Sequence, residues 1–130
     1  LKYKKILSYL TKMDNSKSDI ALIYNKKILE TGTSNLLFIK NKKIYSPKKD
    51  YYEGNTYKFF KSKFKKILKK DIFISELHNY DEILLIGSGK GVVPVKTIKE
   101  IGWKRKNLNQ YKIFAKYYRS AITECNHHRF

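Results

Sequence analysis

The sequence predicts an α+β fold, a distorted β-barrel with helices laid against it. Three observations lead there. Short apolar runs bounded by polar turn residues fill the chain from residue 20 to residue 98, the mark of strands. The tripeptide Asn-Lys-Lys recurs at 25–27 and 41–43, each time between two such runs, and marks two tight hairpins. Two stretches, 56–70 and 107–123, carry apolar residues at helical spacing. After an opening helix, the predicted order is β-β-β-β-α-β-β-β-α.

Each element has its own reason. The chain opens on "KYKKILSYLTKM", where Ile6, Leu7, Leu10 and Met13 recur at helical spacing and predict the first helix. "DNSKSD" is a polar loop. "IALIY" (20–24) predicts a buried strand, and the first Asn-Lys-Lys turns it into "ILET". "NLLFIK" (35–40) is the next strand, and the second Asn-Lys-Lys turns it into "IYS", which ends at Pro47. "KKDYYEGN" is a loop. "TYKFFKSKFKKILKK" (56–70) sets Phe59, Phe60, Phe64, Ile67 and Leu68 on one face of a helix and solvated lysines on the other. "IFISEL" and "DEILLIG" (81–87) are strands, the second ending in the glycine-rich "SGKG", and "VVPVKTI" is a third. From Asn107 to Thr123, the spacing of Leu108, Tyr111, Phe114, Ala115, Tyr118 and Ile122 predicts a closing helix.

Composition bounds the function classes. At 130 residues the chain is one domain, and 42% hydrophobic with 15% aromatic residues argues for a folded one. The formal charge of +18 would suit nucleic acid or an anionic surface. However, only Arg105, Arg119 and Arg129 supply the guanidinium fork that clamps phosphates and reads bases. The lysines are spread through every segment instead of gathered in one, so the charge reads as a compositional bias. A basic module for nucleic acid or a membrane surface is therefore the alternative of a different class, and neither partner is expected. Cys125 is the lone cysteine, so no disulfide forms within the chain and a reducing, cytoplasmic compartment is expected. With His127 and His128 it reads as a frayed tail without ligand spacing from a second element, hence no metal. No apolar run approaches the ~20 residues that span a bilayer, and no signal peptide is visible. The chain starts at Leu1, inside an apparent element, which predicts missing upstream sequence.

Three places could carry chemistry. "ETGTSNLLF" (30–38) puts Glu30 beside a loop of small polar residues just before a strand. "EGNT" (53–56) opens a helix, where free backbone N–H groups and the Thr56 hydroxyl favour an anion. "IGSGKGVVPV" (86–95) is a turn whose glycines allow close backbone approach and whose Ser88 adds a hydroxyl. It lacks the ending and spacing of a Walker A loop, and no helix follows to make it a dinucleotide fingerprint. Taken singly, these places read as a surface glutamate at a hairpin, an N-capped helix and a tight β-turn.

Their order along the chain is more specific. A Leu-Lys start, Glu-x-Gly-x-x-Asn before an apolar strand, "YSP", Gly-x-Thr opening a helix and then "YDEILLIGSGKGVVPV" resemble the class IV aminotransferases, the fold-type-IV pyridoxal-phosphate enzymes. The resemblance covers essentially the whole chain, 1–130, as the larger C-terminal domain of that family. It implies a barrel-like fold with flanking helices, and pyridoxal 5'-phosphate (PLP) as cofactor. Lys2 falls where the family has its cofactor-bonding lysine, with Lys4 and Lys5 as fallback candidates. Glu30 matches the carboxylate that faces the pyridine nitrogen and keeps it protonated, because an opposite charge favours the charged form. Asn55 and Thr56 match the phosphate-binding helix start. Ser88 and Gly89 match the turn that holds the phosphate and the substrate carboxylate, and Pro94 matches the proline after it.

Some positions depart from the family pattern. Leu37 stands where an aromatic residue is usual, with Phe38 one later. Ser46 precedes Pro47 in place of threonine, Asn55 replaces an aliphatic residue, Tyr57 a basic one, and Lys5 an asparagine. The resemblance implies a smaller N-terminal domain before Lys2, with a phosphate-contacting arginine and much of the substrate pocket, and that domain is expected to be missing from this sequence. The segment "EIGWKRKNLNQY" before the last helix lacks the proline-containing segment usual in the aminotransferases. The resemblance is therefore strongest to aminodeoxychorismate lyases, which release 4-aminobenzoate and pyruvate for folate synthesis. A branched-chain or D-amino-acid aminotransferase is the alternative. Either implies a small, amino-acid-like substrate and a homodimer when full length.

Overall fold

A computed structural model of the chain describes residues 4–11, 16–24, 26–31, 35–48, 55–63, 66–87, 91–98 and 101–127. The strands are β1 (Lys4–Thr11), β2 (Ser16–Tyr24), β3 (Lys27–Thr31), β4 (Asn35–Lys40), β5 (Lys43–Pro47), β6 (Ile67–Lys70), β7 (Glu82–Gly87), β8 (Gly91–Ile98) and β9 (Trp103–Lys104). The helices are α1 (Asn55–Lys63) and α2 (Asn109–His127), with a short 3-10 helix over Ile74–Asn79.

All the strands join one sheet in the order β3-β2-β1-β8-β7-β4-β5-β6, with β9 paired to β8. β3 also pairs with β4 through Glu30 and Asn35, so the sheet curls back on itself. This is the barrel-like α+β architecture that the sequence predicts.

Both Asn-Lys-Lys segments turn as expected. Lys26 (φ 64°) links β2 to β3, and Asn41 and Lys42 (φ 51° and 65°) link β4 to β5. Two successive positive φ values give a two-residue turn whose twist matches that of the flanking strands. Asp81 anchors the second turn. Its N–H donates to the Ile39 carbonyl at 2.7 Å, and its carboxylate accepts the Asn41 N–H at 3.3 Å.

The central strands read as unbroken apolar runs because the sheet is covered on both faces. Leu36 and Phe38 of β4, Ile83 and Leu85 of β7, and Val93 and Val95 of β8 pack in one core with Ile72, Leu77, Tyr80 and Trp103. The alternate residues Leu37, Ile39, Leu84 and Ile86 pack in a second core under Phe60 of α1 and Phe114 of α2.

Several expectations are corrected. Residues 4–11 form a strand instead of the first helix, because they pair along their whole length with β2 and also with β8; ladder partners on both sides outweigh a helical apolar spacing. The helix expected over 56–70 is described over Asn55–Lys63, and Ile67–Lys70 is a strand pairing in parallel with β5. A parallel neighbour requires a crossover, and α1 supplies it. "IFISEL" is largely 3-10 helix. Only the bridge from Phe73 to Lys27 and the flanking bonds from Ile28 N–H to Ile72 (2.8 Å) and Ile74 N–H to Lys26 (3.0 Å) are sheet-like. The closing helix runs through Cys125 to His127, where the sequence reads as a frayed tail.

Candidate functional site

Register, more than sequence distance, decides what can meet at one site. Lys5 pairs with Leu22, Leu22 with Glu30, Glu30 with Asn35, Asn35 with Ile86, and Ile86 with Val92. This row crosses six strands. It leaves the Glu30 backbone at the same end of β4, β7 and β8 as Gly87 and Gly91. The start of β1 lies elsewhere, because β1 meets β8 through Leu10–Val95 and Tyr9–Thr97, which sets Lys4 and Lys5 toward the Ile98 end of β8, away from Gly91. Glu30 and the β7–β8 turn are more than fifty residues apart in sequence but three paired positions apart in the sheet.

The individual candidates sit as follows. Lys2 lies outside the described residues, two positions before β1; Lys4 and Lys5 head that strand. Glu30 is the penultimate residue of β3. Asn55 and Thr56 form the first turn of α1, which carries no acidic residue. Backbone N–H groups at a helix start lack intrahelical partners and carry the positive end of the helix dipole. Ser88 and Gly89 lie outside the described residues, between Gly87 and Gly91, which pair with each other. Pro94 is buried in β8, opposite Leu84.

The turn is closed by a glycine that the fold demands twice. Gly91 has φ +70°, a backbone conformation that is costly for residues with a Cβ. A Cβ there would also lie 2.6 Å from Cε2 of Tyr118 on α2. The ring thus lies directly against the backbone at the end of the turn.

Two features escape sequence reasoning. The first is Glu82, 1% exposed at the start of β7. Its Oε2 accepts the Gln110 N–H at 2.9 Å and its Oε1 the Tyr111 N–H at 3.0 Å. It supplies the N-terminal carboxylate that α2, with no acid in its own first turn, lacks. Burial pushes its pKa up, and the two backbone hydrogen bonds and Arg105 pull it partly back. The available signal is the alternation Glu82, Leu84, Ile86, which puts a carboxylate on an otherwise apolar face. The second is Tyr80, fully buried, whose hydroxyl has no hydrogen-bond partner among the described residues. Burial above all, then Glu76 and Tyr45, raise its pKa to about 12. Its carbonyl accepts the Trp103 indole N–H at 3.2 Å, which ties β9 to the core.

Among the described residues no helix is long and apolar enough to cross a membrane. The family model for class IV amino-transferases matches residues 1–98. Among curated proteins none matches significantly. Solved structures do. A branched-chain aminotransferase from Thermoproteus uzoniensis with norvaline aligns at 22% identity and a TM-score of 0.59, over 72% of this chain and 33% of that one. A 4-amino-4-deoxychorismate lyase from Pseudomonas aeruginosa aligns at 23% identity and a TM-score of 0.55, over 66% and 34%. An aminotransferase from Brucella abortus bound to the cofactor PLP aligns at 21% identity and a TM-score of 0.59, over 75% and 36%. The chain thus spans about a third of the length of each, and the similarity is one of fold.

Proposed function

Because the chain belongs to the class IV aminotransferase family, we propose that it forms the PLP-binding part of a 4-amino-4-deoxychorismate lyase. The observation that carries the reading is the register row from Glu30 through Asn35 to Ile86 and Val92. It supports a site in which the strand that bears Glu30 and the glycine-rich segment after Gly87 lie near each other.

That set of groups fits the cofactor chemically. A phosphate suits the Ser88 hydroxyl and the Gly89 backbone, and the start of α1 at Asn55 and Thr56, whose first turn carries no acidic residue. A pyridine nitrogen suits Glu30, whose negative charge holds a proton there. An aldehyde suits an amine at Lys2. PLP, when bound, supplies an electron sink for the pair left on the substrate Cα. Lys2 takes the Cα proton, and a lysine does this well where neighbouring positive charge or burial lowers its pKa. Departure of pyruvate then leaves 4-aminobenzoate. In this reading the full-length protein is a cytoplasmic homodimer serving folate synthesis.

The lyase is favoured over an aminotransferase by the stretch before α2. Instead of a proline-containing segment, it forms β9 and runs through Asn107, whose Oδ1 accepts the Asn109 N–H at 3.1 Å. The deciding experiment supplies aminodeoxychorismate to the PLP-loaded full-length protein and measures 4-aminobenzoate. Release of 4-aminobenzoate supports the lyase. Keto acid formed from branched-chain or D-amino acids, with no 4-aminobenzoate, overturns it in favour of the aminotransferase.

A further inference from the structure

We infer that the solvent face of α2 is a docking surface for an acidic protein segment, one whose carboxylates flank apolar residues. The inference is independent of the PLP reading above.

Two rows run along that face. Lys112, Lys116 and Arg119 follow one another by four and then three residues, and all are exposed. Beside them Ile113 and Tyr117, also four residues apart, are 41% and 46% exposed. Residues at these spacings are neighbours on a helix surface, so the cations line one flank of an apolar pair. The other side of the helix holds the buried Phe114 and Ala115, which fix how the two rows are presented.

By itself this arrangement works against the helix. Lys112 and Lys116 are like charges at a spacing that repels. Lys112 also lies in the first turn, where the helix dipole disfavours a cation. α1 and residues 109–123 of α2 contain no Asp or Glu to relieve them. Acids on other elements are engaged elsewhere: Asp71 with Lys27 at 3.6 Å, Glu76 with Lys70 at 3.8 Å and Asp81 with Lys106 at 3.7 Å. Glu82 meets α2 only through its backbone, on the buried side. Lysines are spread over every segment of the chain; what sets the helix layer apart is the lack of acids beside them. A local rule broken without compensation inside the chain marks a surface that a partner completes.

The chemistry selects the occupant. Carboxylates neutralise the cation row, and apolar side chains cover Ile113 and Tyr117, tyrosine being a frequent anchor at interfaces. A second copy brings the same cations against this face, because a two-fold contact sets a patch against itself. Nucleic acid is disfavoured because Arg119 is the one guanidinium in the two rows. Two apolar side chains one turn apart bury too little to hold a helix in a lipid interface.

The test titrates the full-length protein, by fluorescence anisotropy in about 0.15 M salt, with labelled poly-glutamate and with a glutamate–tyrosine copolymer of matched charge. The copolymer is expected to bind about tenfold more tightly. Ile113→Ser/Tyr117→Ser should remove that advantage and leave poly-glutamate unchanged. Lys112→Glu/Lys116→Glu should weaken both by about tenfold or more. Lys43→Glu/Lys104→Glu, an equal change of net charge at exposed positions of β5 and β9, should change either by less than about twofold. All the substituted side chains are exposed, so urea midpoints should match wild type and exclude unfolding as the cause. Equal losses from the two charge reversals would reduce the effect to net charge and overturn the proposal. So would the lack of a preference for the copolymer, or tighter binding of oligouridylate or of phosphatidylserine vesicles. A wild-type dimer that Ile113→Ser/Tyr117→Ser converts to a monomer would make the face a contact between copies and overturn it as well.

Discussion

Glu82 and Gln110 are joined by a 2.9 Å hydrogen bond in which a buried side-chain carboxylate on β7 accepts a backbone N–H at the start of α2. The two residues are 28 positions apart, so a sheet strand caps a helix that comes much later in the chain. The adjacent N–H, from Tyr111, takes the second oxygen at 3.0 Å. α2 is thereby docked at its beginning by two hydrogen bonds and along its length by Phe114 and Tyr118.

The carboxylate's raised pKa has a definite sign for stability. A group whose folded pKa lies above its unfolded value binds more protons in the folded state within that window, so unfolding free energy falls as pH rises. The Glu82 contribution is therefore fully present below the ordinary value of 4.5 and is lost as pH climbs through the raised folded value. Denaturant midpoints of wild type and Glu82→Gln measured from pH 4 to pH 7 should show a downward slope present in wild type and reduced in the variant. Parallel curves would refute the assignment. Asp81 and Arg105, the charged groups acting on Glu82, remain in both proteins.

Tyr80→Phe is expected to stabilise the fold by about 1 kcal/mol, because a buried hydroxyl with no partner among the described residues forfeits its hydration for nothing. The ring contacts with Phe38 at 5.6 Å and Tyr45 at 6.0 Å survive the change. Urea denaturation decides it; a loss of more than 1 kcal/mol would mean that the hydroxyl is bonded in solution.

Phe60→Ala should destabilise by about 3–5 kcal/mol, the usual range for deleting a buried phenyl ring. Ile113→Ala on the exposed side of α2, where the side chain is 41% exposed, should fall within about 0.5 kcal/mol of wild type. The contrast between the two, read by chemical denaturation, tests whether α1 and α2 are locked by the second core or merely adjacent.

For Lys2, borohydride treatment of the PLP-loaded full-length protein followed by peptide mapping should find the reduced label there. A label on Lys4 or Lys5, which head β1, would move the cofactor-bonding role to that residue.

Glu30→Gln should leave PLP bound and cut kcat by orders of magnitude, since the ring nitrogen loses the charge that keeps it protonated. Unchanged kcat would remove Glu30 from the site and leave it as a strand residue paired with Leu22 and Asn35.

Local chemistry determined a good part of this protein from the sequence alone. The turns at Lys26 and at Asn41–Lys42 follow from residue types that tolerate positive φ between apolar runs. The runs of β4 and β7 announce strands covered on both faces, and Leu108 to Ile122 announce α2 by period. The order of Glu30, Thr56 and Ser88 points to one family. Tertiary structure decided the rest, where two local readings were nearly equal or where no local signal existed. Residues 4–11 satisfy a helical spacing, yet β2 and β8 offer them ladder partners, and a backbone segment enclosed by strands is satisfied best as a strand. Ile67–Lys70 continue the lysine-rich pattern of α1, yet β5 claims them in parallel. Glu82 looks like a surface acid beside Asp81; only the docking of α2 gives its carboxylate two donors. The tight fit of Tyr118 on Gly91 joins residues from elements that period and propensity treat separately. Such contacts depend on how elements pack, and packing is a property of the whole chain, not of any window along it.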